Sequence, residues 1–270
     1  MRYFCWNVFF LTIVAGLLSW TPLAGQQKPG EKAEVTELWD ELAREHVRPG
    51  RIGSVEQNVV NYAGIGADER WEPLLKALEI AVEPTDRNGK LAFWINAYNI
   101  LTIRVILSEY PVKSIKDAGG WFSSVWDVDA GVAAGEMRSL SEIEHEILRP
   151  MGEARIHAAI VCASVSCPPI RAEAFAAGKL DAQLDDQMRS WLANEKTGLD
   201  VEDEGQTLRV SSIFDWFGED FEEETGSVRA FLVRYMPEEK RASLKADNRI
   251  RYLYYDWSLN DAARAEFPPG

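Results

Sequence analysis

The stretch from Arg87 to Tyr110, RNGKLAFWINAYNILTIRVILSEY, constrains this chain more than any other. Pro84, Thr85 and Asp86 form a helix-start signal ahead of it, and Pro111 stops it. After Lys90 its only charged residues are Arg104 and Glu109, and apolar residues fall on every side of the predicted helix. A helix of that kind is buried all round, so other elements must cover it. The composition, 46% hydrophobic and 11% aromatic, can supply such a core. The expected fold is α+β: a single compact domain with a long buried central helix packed against a small, mostly antiparallel sheet.

Helical spacing of Leu38, Trp39, Leu42 and Ala43 predicts a helix over 34–47, and a second amphipathic helix is expected over 67–82. Residues 59–65 read as extended. Short strands are expected over 125–128 and 132–137 around a glycine turn, then a helix capped by Ser139 or Ser141 that runs to Leu148. Residues 155–162 read as a buried strand. Pro168 and Pro169 break the chain, with helices predicted from Arg171 and over 180–191. A hairpin over 199–210, a short helix holding Phe214, Trp216 and Phe217, a helix over 227–235 and a closing strand over 249–257 complete the reading. No internal repeat or linker divides residues 34–262, which are taken as one domain with a tail over 263–270.

The N-terminus adds a compartment. Arg2, the apolar run from Trp6 to Trp20, and the break and small residues from Pro22 to Gly25 have the layout of a secretory signal over residues 1–25. Residues 26–33 then form a polar linker. Export to the periplasm or the exterior is expected, with no membrane span after cleavage. A net charge of −14 without a Lys/Arg cluster argues against nucleic acid as a partner. The run Glu219, Asp220, Phe221, Glu222, Glu223, Glu224 reads as a solvated turn, because it lacks the ligand spacing of a calcium loop. Phosphate-binding glycine loops and a G-x-S-x-G elbow are absent, so no cofactor is expected.

Five segments, AFWINAYNILTI, SLSEIEHEILRP, HAAIVCASVSCPPIRAEAF, VSSIFDWFGEDF and YLYYDWSLND, stand in an order and spacing that resembles the bacterial, signal-peptide-bearing branch of the family called domain of unknown function 547. The resemblance runs from about Glu34 to Asp261. It implies a compact α+β domain often found behind a signal peptide, and it leaves the activity open.

Chemistry must therefore be sought residue by residue. Cys162 and Cys167 follow the signal as the domain's two cysteines. They can form a local disulfide in an oxidising compartment. Alternatively Cys162 is an inert buried thiol, or Cys167 is a nucleophile activated by a helix beginning after Pro168 and Pro169. His157 is the candidate base. In a strand, His157 and Cys162 lie an odd number of residues apart and face opposite sides, which leaves His157 with Cys167 as the feasible pair. Asp256, in an aromatic surround, either orients His157 or caps the turn suggested by Ser258 and Asn260. Asn96 and Asn99 share one face of the central helix, and either tie neighbouring loops together or hold a ligand. His145, His157, Cys162 and Cys167 lack the short two-cysteine spacing of zinc sites, so no metal is expected. The domain's tryptophans are assigned to core packing. Two functions follow. The favoured one is a non-catalytic envelope domain that binds a small molecule or an envelope partner. Its alternative is a thiol-dependent hydrolase or acyltransferase using Cys167, His157 and Asp256.

Overall fold

A computed structural model of the chain describes residue 1, residues 30–118 and residues 124–267. Residues 2–25 of the expected signal, 26–29 of the linker and 268–270 of the tail lie outside the described residues.

The central helix is α4, Arg87–Glu109, in an order that begins α1 (Gly30–His46), β1 (Val47–Ile52), β2 (Val55–Val60), α2 (Tyr62–Ala67) and α3 (Trp71–Ile80). The Asp86 carboxylate caps α4 by accepting from Gly89 N at 2.7 Å. Glycine is needed there, because a Cβ on Gly89 would lie 2.6 Å from an Asp86 oxygen. From Leu91 to Ile103 every residue except Phe93 is buried. Arg104, the charge within the helix, escapes the core by donating to the Ala130 carbonyl. One helix among the described residues is long and apolar enough to cross a membrane, and it is this buried one.

After α4 come β3 (Asp129–Ala133), β4 (Glu136–Ser139), a π-helix (Glu142–Leu148) and the single turn α5 (Ile156–Ala159). The chain continues through α6 (Leu180–Ala193), β5 (Leu199–Glu202), β6 (Thr207–Val210), α7 (Ile213–Trp216), α8 (Gly218–Thr225), α9 (Val228–Tyr235), α10 (Glu238–Ser243) and β7 (Arg249–Tyr252). This is the α+β fold expected. Its strands form three small sheets, β1–β2, β3–β4 and β5–β6–β7, antiparallel except for the β6–β7 pair.

Several local expectations need correction. Residues 125–128 form a turn, and the strand expected over 132–137 is itself a hairpin, turning at Ala134 and Gly135. Residues 171–179 hold no helix. The segment 155–162 is not a strand. Its first half winds into α5, with the Ile160 N–H bonded to the Ile156 carbonyl at 2.9 Å, and only then does it extend.

The apolar interior falls into two clusters. One surrounds α4 and includes α1, α3 and residues 156–175. The other gathers around Trp191, Phe214, Phe221 and Phe231 on α6 to α9. Helix α5 straddles the seam: Ile156 and Ala159 pack into the first cluster, Ala154 and Ala158 into the second, and Cys162 against both.

Candidate active site

That seam opens into a cavity of about 320 Å³, lined by Cys162, Cys167, His157 and Glu144 among aromatic rings. Its size and its few polar groups on an apolar wall are those of a small-molecule site.

The cysteine loop is held rigidly. Asn99 donates to the Ala159 carbonyl and accepts from Val161 N, both at 2.9 Å, so α4 clamps the backbone between His157 and Cys162. Asn96 does the same for Phe175, at 2.8 and 2.9 Å. Both amides thus tie loops to the central helix. Downstream, Val165 N donates to Ser258 O and Asn260 N to Ala163 O. Ala163 sits at φ 60, in the left-handed region that costs a non-glycine residue about 1–2 kcal/mol. Backbone held in that region beside a thiol is a common mark of a functional loop.

The expected disulfide is not formed. Cys162 and Cys167 are free thiols with sulfurs 3.2 Å apart, well beyond the roughly 2.05 Å of a bond. Two thiols this close favour one negative charge between them. Cys162 is partly exposed, and Cys167, Ser164 Oγ and the Tyr255 hydroxyl all lie 3.2 Å from its sulfur. Hydrogen bonding, from Cys167 first, lowers the Cys162 thiol, whereas burial pushes Cys167 up. Of the two thiols, Cys162 is therefore the readier to ionise. The helix expected to activate Cys167 is absent.

His157 is almost fully buried on α5, its ring stacked on Phe217 at 4.2 Å. Nε2 lies 2.7 Å from Asp220 Oδ2. Burial lowers the imidazole below its ordinary range despite that carboxylate, so the ring is neutral near pH 7. Burial also works against the Asp220 charge, but Arg149, through bonds of 2.7 and 2.8 Å, and His157 hold it well below the usual carboxylate range. With Nε2 engaged, Nδ1 is the nitrogen left to take a proton. His157 and Cys162 do not hydrogen-bond directly, although both line the cavity. Such contacts often close only around bound substrate.

Two further groups complete the wall. Glu144 projects from the π-helix, whose start is a capping box: Glu142 N donates to Ser139 Oγ at 3.0 Å and Ser139 N to Glu142 Oε2 at 2.7 Å. Burial pushes the Glu144 carboxyl up to about 7, and its one side-chain partner among the described residues is the Tyr98 hydroxyl at 3.3 Å. His145 faces Arg149 at 3.1 Å through Nδ1.

Asp256 does not join the site through His157. Its carboxylate accepts from Ser258 N at 2.8 Å and from the Ser258 hydroxyl, capping the turn. The acid on His157 is Asp220, out of the run expected to be a solvated turn. That run lies in α8, where Phe221, with Phe217 just before the helix, packs on the second cluster and carries Asp220 with it. No three of His145, His157, Cys162 and Cys167 bring ligand atoms within 4.8 Å of one another. Three tryptophans assigned to the core, Trp126, Trp216 and Trp257, instead line the cavity.

Fold and site together define an α+β domain with a thiol, a carboxylate-held imidazole and a buried acid around one aromatic cavity. Residues 82–192 match the family described as "Protein of unknown function, DUF547", which supports membership in that family over the stretch from α4 to α6. The match takes in Glu144, His157 and both cysteines, while Asp220, Tyr255 and two of the three cavity tryptophans lie beyond it. No curated protein and no solved structure matches the chain.

Proposed function

We propose that the chain is an exported, cysteine-dependent acyl hydrolase or acyltransferase, with Cys162 as nucleophile, His157 as base and Asp220 holding the imidazole. The observation that carries this reading is the Cys162 thiol, acidified at a cavity wall that also contains a neutral, carboxylate-anchored histidine. A purely structural pair of cysteines has no need of either neighbour. The Sγ of Cys162 would attack the carbonyl carbon of an amide or ester, its proton passing to His157 Nδ1 and then to the departing amine or alcohol. Water or a second acceptor, deprotonated by His157, then attacks the thioester and releases Cys162 as the thiol. The bacterial, signal-bearing branch of the family and a periplasmic or secreted location fit the N-terminal segment and belong to the same proposal. The non-catalytic envelope domain is the reading this one displaces. Its framework roles for Asn96, Asn99 and Asp256 hold equally in an enzyme.

The test is thiol reactivity in reduced protein. Iodoacetamide should modify Cys162 well before Cys167, with a rate that titrates below the roughly 8.5 of a free thiol. A p-nitrophenyl ester should leave an acyl group on Cys162, seen by mass spectrometry, that His157→Ala slows to form. A Cys162 that resists both reagents returns the protein to the binding reading.

A further inference from the structure

We propose that the cavity recognises an ammonium group, protonated or quaternary, set against Glu144 and the aromatic walls. As an account of the substrate, this rests on the acyl-transfer reading, with the ammonium carried by the acyl donor or the acceptor.

The case begins with charge. Glu144 is 8% exposed, and its Oε1 has no protein partner among the described residues. No lysine or arginine lines the cavity among those residues. The guanidinium whose charge acts on Glu144, Arg149, is committed to Asp220 and His145. The wall therefore holds two groups able to turn negative, Glu144 and Cys162, and no cation to balance them. Buried charge of that kind calls for a partner, and a ligand can supply it. The remaining wall is Trp126, Trp216, Phe217, Tyr255 and Trp257, whose ring faces attract cations. The protein already uses two of these rings so: Lys116 Nζ lies 3.5 Å from the Trp257 ring centre, and the Arg149 guanidinium 5.3 Å from that of Phe217. A carboxylate in the wall of an aromatic cavity is a chemical match for an ammonium and a poor one for a carboxylate or phosphate ligand.

The groups facing Glu144 set its pH response. Tyr98 comes from α4, Cys162 from the cysteine loop, Arg149 from the turn after the π-helix and Asp220 from α8. Burial dominates them and favours the neutral acid, so ionisation falls near pH 7, and an ammonium ligand binds better above it.

The probes are choline and its uncharged isostere 3,3-dimethylbutan-1-ol, titrated into whole mature protein while tryptophan fluorescence is read. Choline should bind at least tenfold tighter than the alcohol at pH 8.5 and weaken as pH falls to 5.5. Glu144→Gln should narrow both differences severalfold, leaving what Cys162 and the rings contribute. Cys162→Ala should keep choline binding, so a failed thiol reading leaves this result standing. Equal binding of the two probes would overturn the proposal, as would affinity that falls with rising pH, the mark of Glu144 acting as a neutral donor. If Glu144→Gln does not fold by circular dichroism, the probe pair and the pH profile of the unaltered protein still decide.

Discussion

Two clusters in this fold are built from the same three groups. His46 Nε2 lies 3.0 Å from Asp68 Oδ2, and Arg70 donates to that carboxylate at 2.6 and 2.8 Å while also reaching Glu45 at 2.5 Å. His157 Nε2 lies 2.7 Å from Asp220 Oδ2, and Arg149 spans that carboxylate in the same way. Both histidines are buried. The difference lies at the other ring nitrogen. His46 Nδ1 is sealed and unpartnered, and a Cβ on Gly64 would come within 2.7 Å of it. His157 borders a cavity that it shares with an acidified thiol. Glu45, His46 and Asp68 are also the one metal-ligand-like group among the described residues, yet Arg70 already supplies positive charge there. A His–Asp–Arg arrangement thus satisfies buried polar groups wherever it occurs. It becomes chemistry only where one face is open and a nucleophile stands on it.

The largest expected effect breaks the symmetry directly. His157→Ala should slow acylation of Cys162 by the p-nitrophenyl ester by about 10²–10⁴-fold, the usual worth of a positioned base. His46→Ala removes an equally buried ring from the sealed cluster and should leave that rate within about twofold. Its cost should appear in urea melts instead, at about 1–3 kcal/mol, because Asp68 loses a hydrogen-bond partner. A His46→Ala variant as slow as His157→Ala would mean that the two clusters do not differ in the way described.

The contrast also marks how far sequence could reach. The central helix was legible because burial on all sides leaves a long gap in charge, and the gap from Lys90 to Arg104 survives any uncertainty about neighbours. Asn96 and Asn99 were legible as a shared face, and their role as clamps follows from the need of buried amides for partners. Cys162, Cys167 and His157 are legible as residues, but not their relative geometry. IHAAIVC has a strand's composition, and one helical turn at its start cancels the alternation that set His157 and Cys162 on opposite faces. Asp220 was out of reach for a different reason. Its bond to His157 joins residues 63 apart, and an acidic run is usually solvated unless the fold supplies cations to hold it.

The second effect compares the carboxyls of the two regions. Glu144 is buried without a cation bonded to it, whereas Glu45 is exposed and paired with Arg70. The folded value of Glu144, about 7, exceeds its ordinary 4.5, so the native state binds the extra proton between those limits. Stability owed to the neutral acid is complete below about pH 4.5 and is lost as pH rises through about 7, a fall of about 3 kcal/mol. Urea melts at pH 5 and pH 8 should therefore show Glu144→Gln gaining on the unaltered protein by about that amount. Glu45→Gln should move by less than about 1 kcal/mol, as surface pairs do. A flat difference for Glu144→Gln would place its ionisation outside this window.

The smallest effect concerns the acid that the sequence offered against the acid that the fold supplies. The Asp256 carboxylate accepts from the Ser258 N–H and hydroxyl, and the Asp256 backbone N–H donates to Ser166 Oγ at 2.8 Å. Asp256→Ala removes the cap and keeps that backbone bond, so the loss should be about 1 kcal/mol in a urea melt. Because Ser166 and Asp256 pin the cysteine loop through main chain, the pH at which Cys162 labels should not move. Asp220→Asn is the matching change on the other side. It removes the charge that opposes burial at His157 and weakens that ring as a base, so labelling of Cys162 by the p-nitrophenyl ester should slow while the Asp256 variant stays level. Were Asp256→Ala to slow labelling as much as Asp220→Asn, the turn at Ser258 would be part of the thiol's machinery, and the two acids would have to be read as one system.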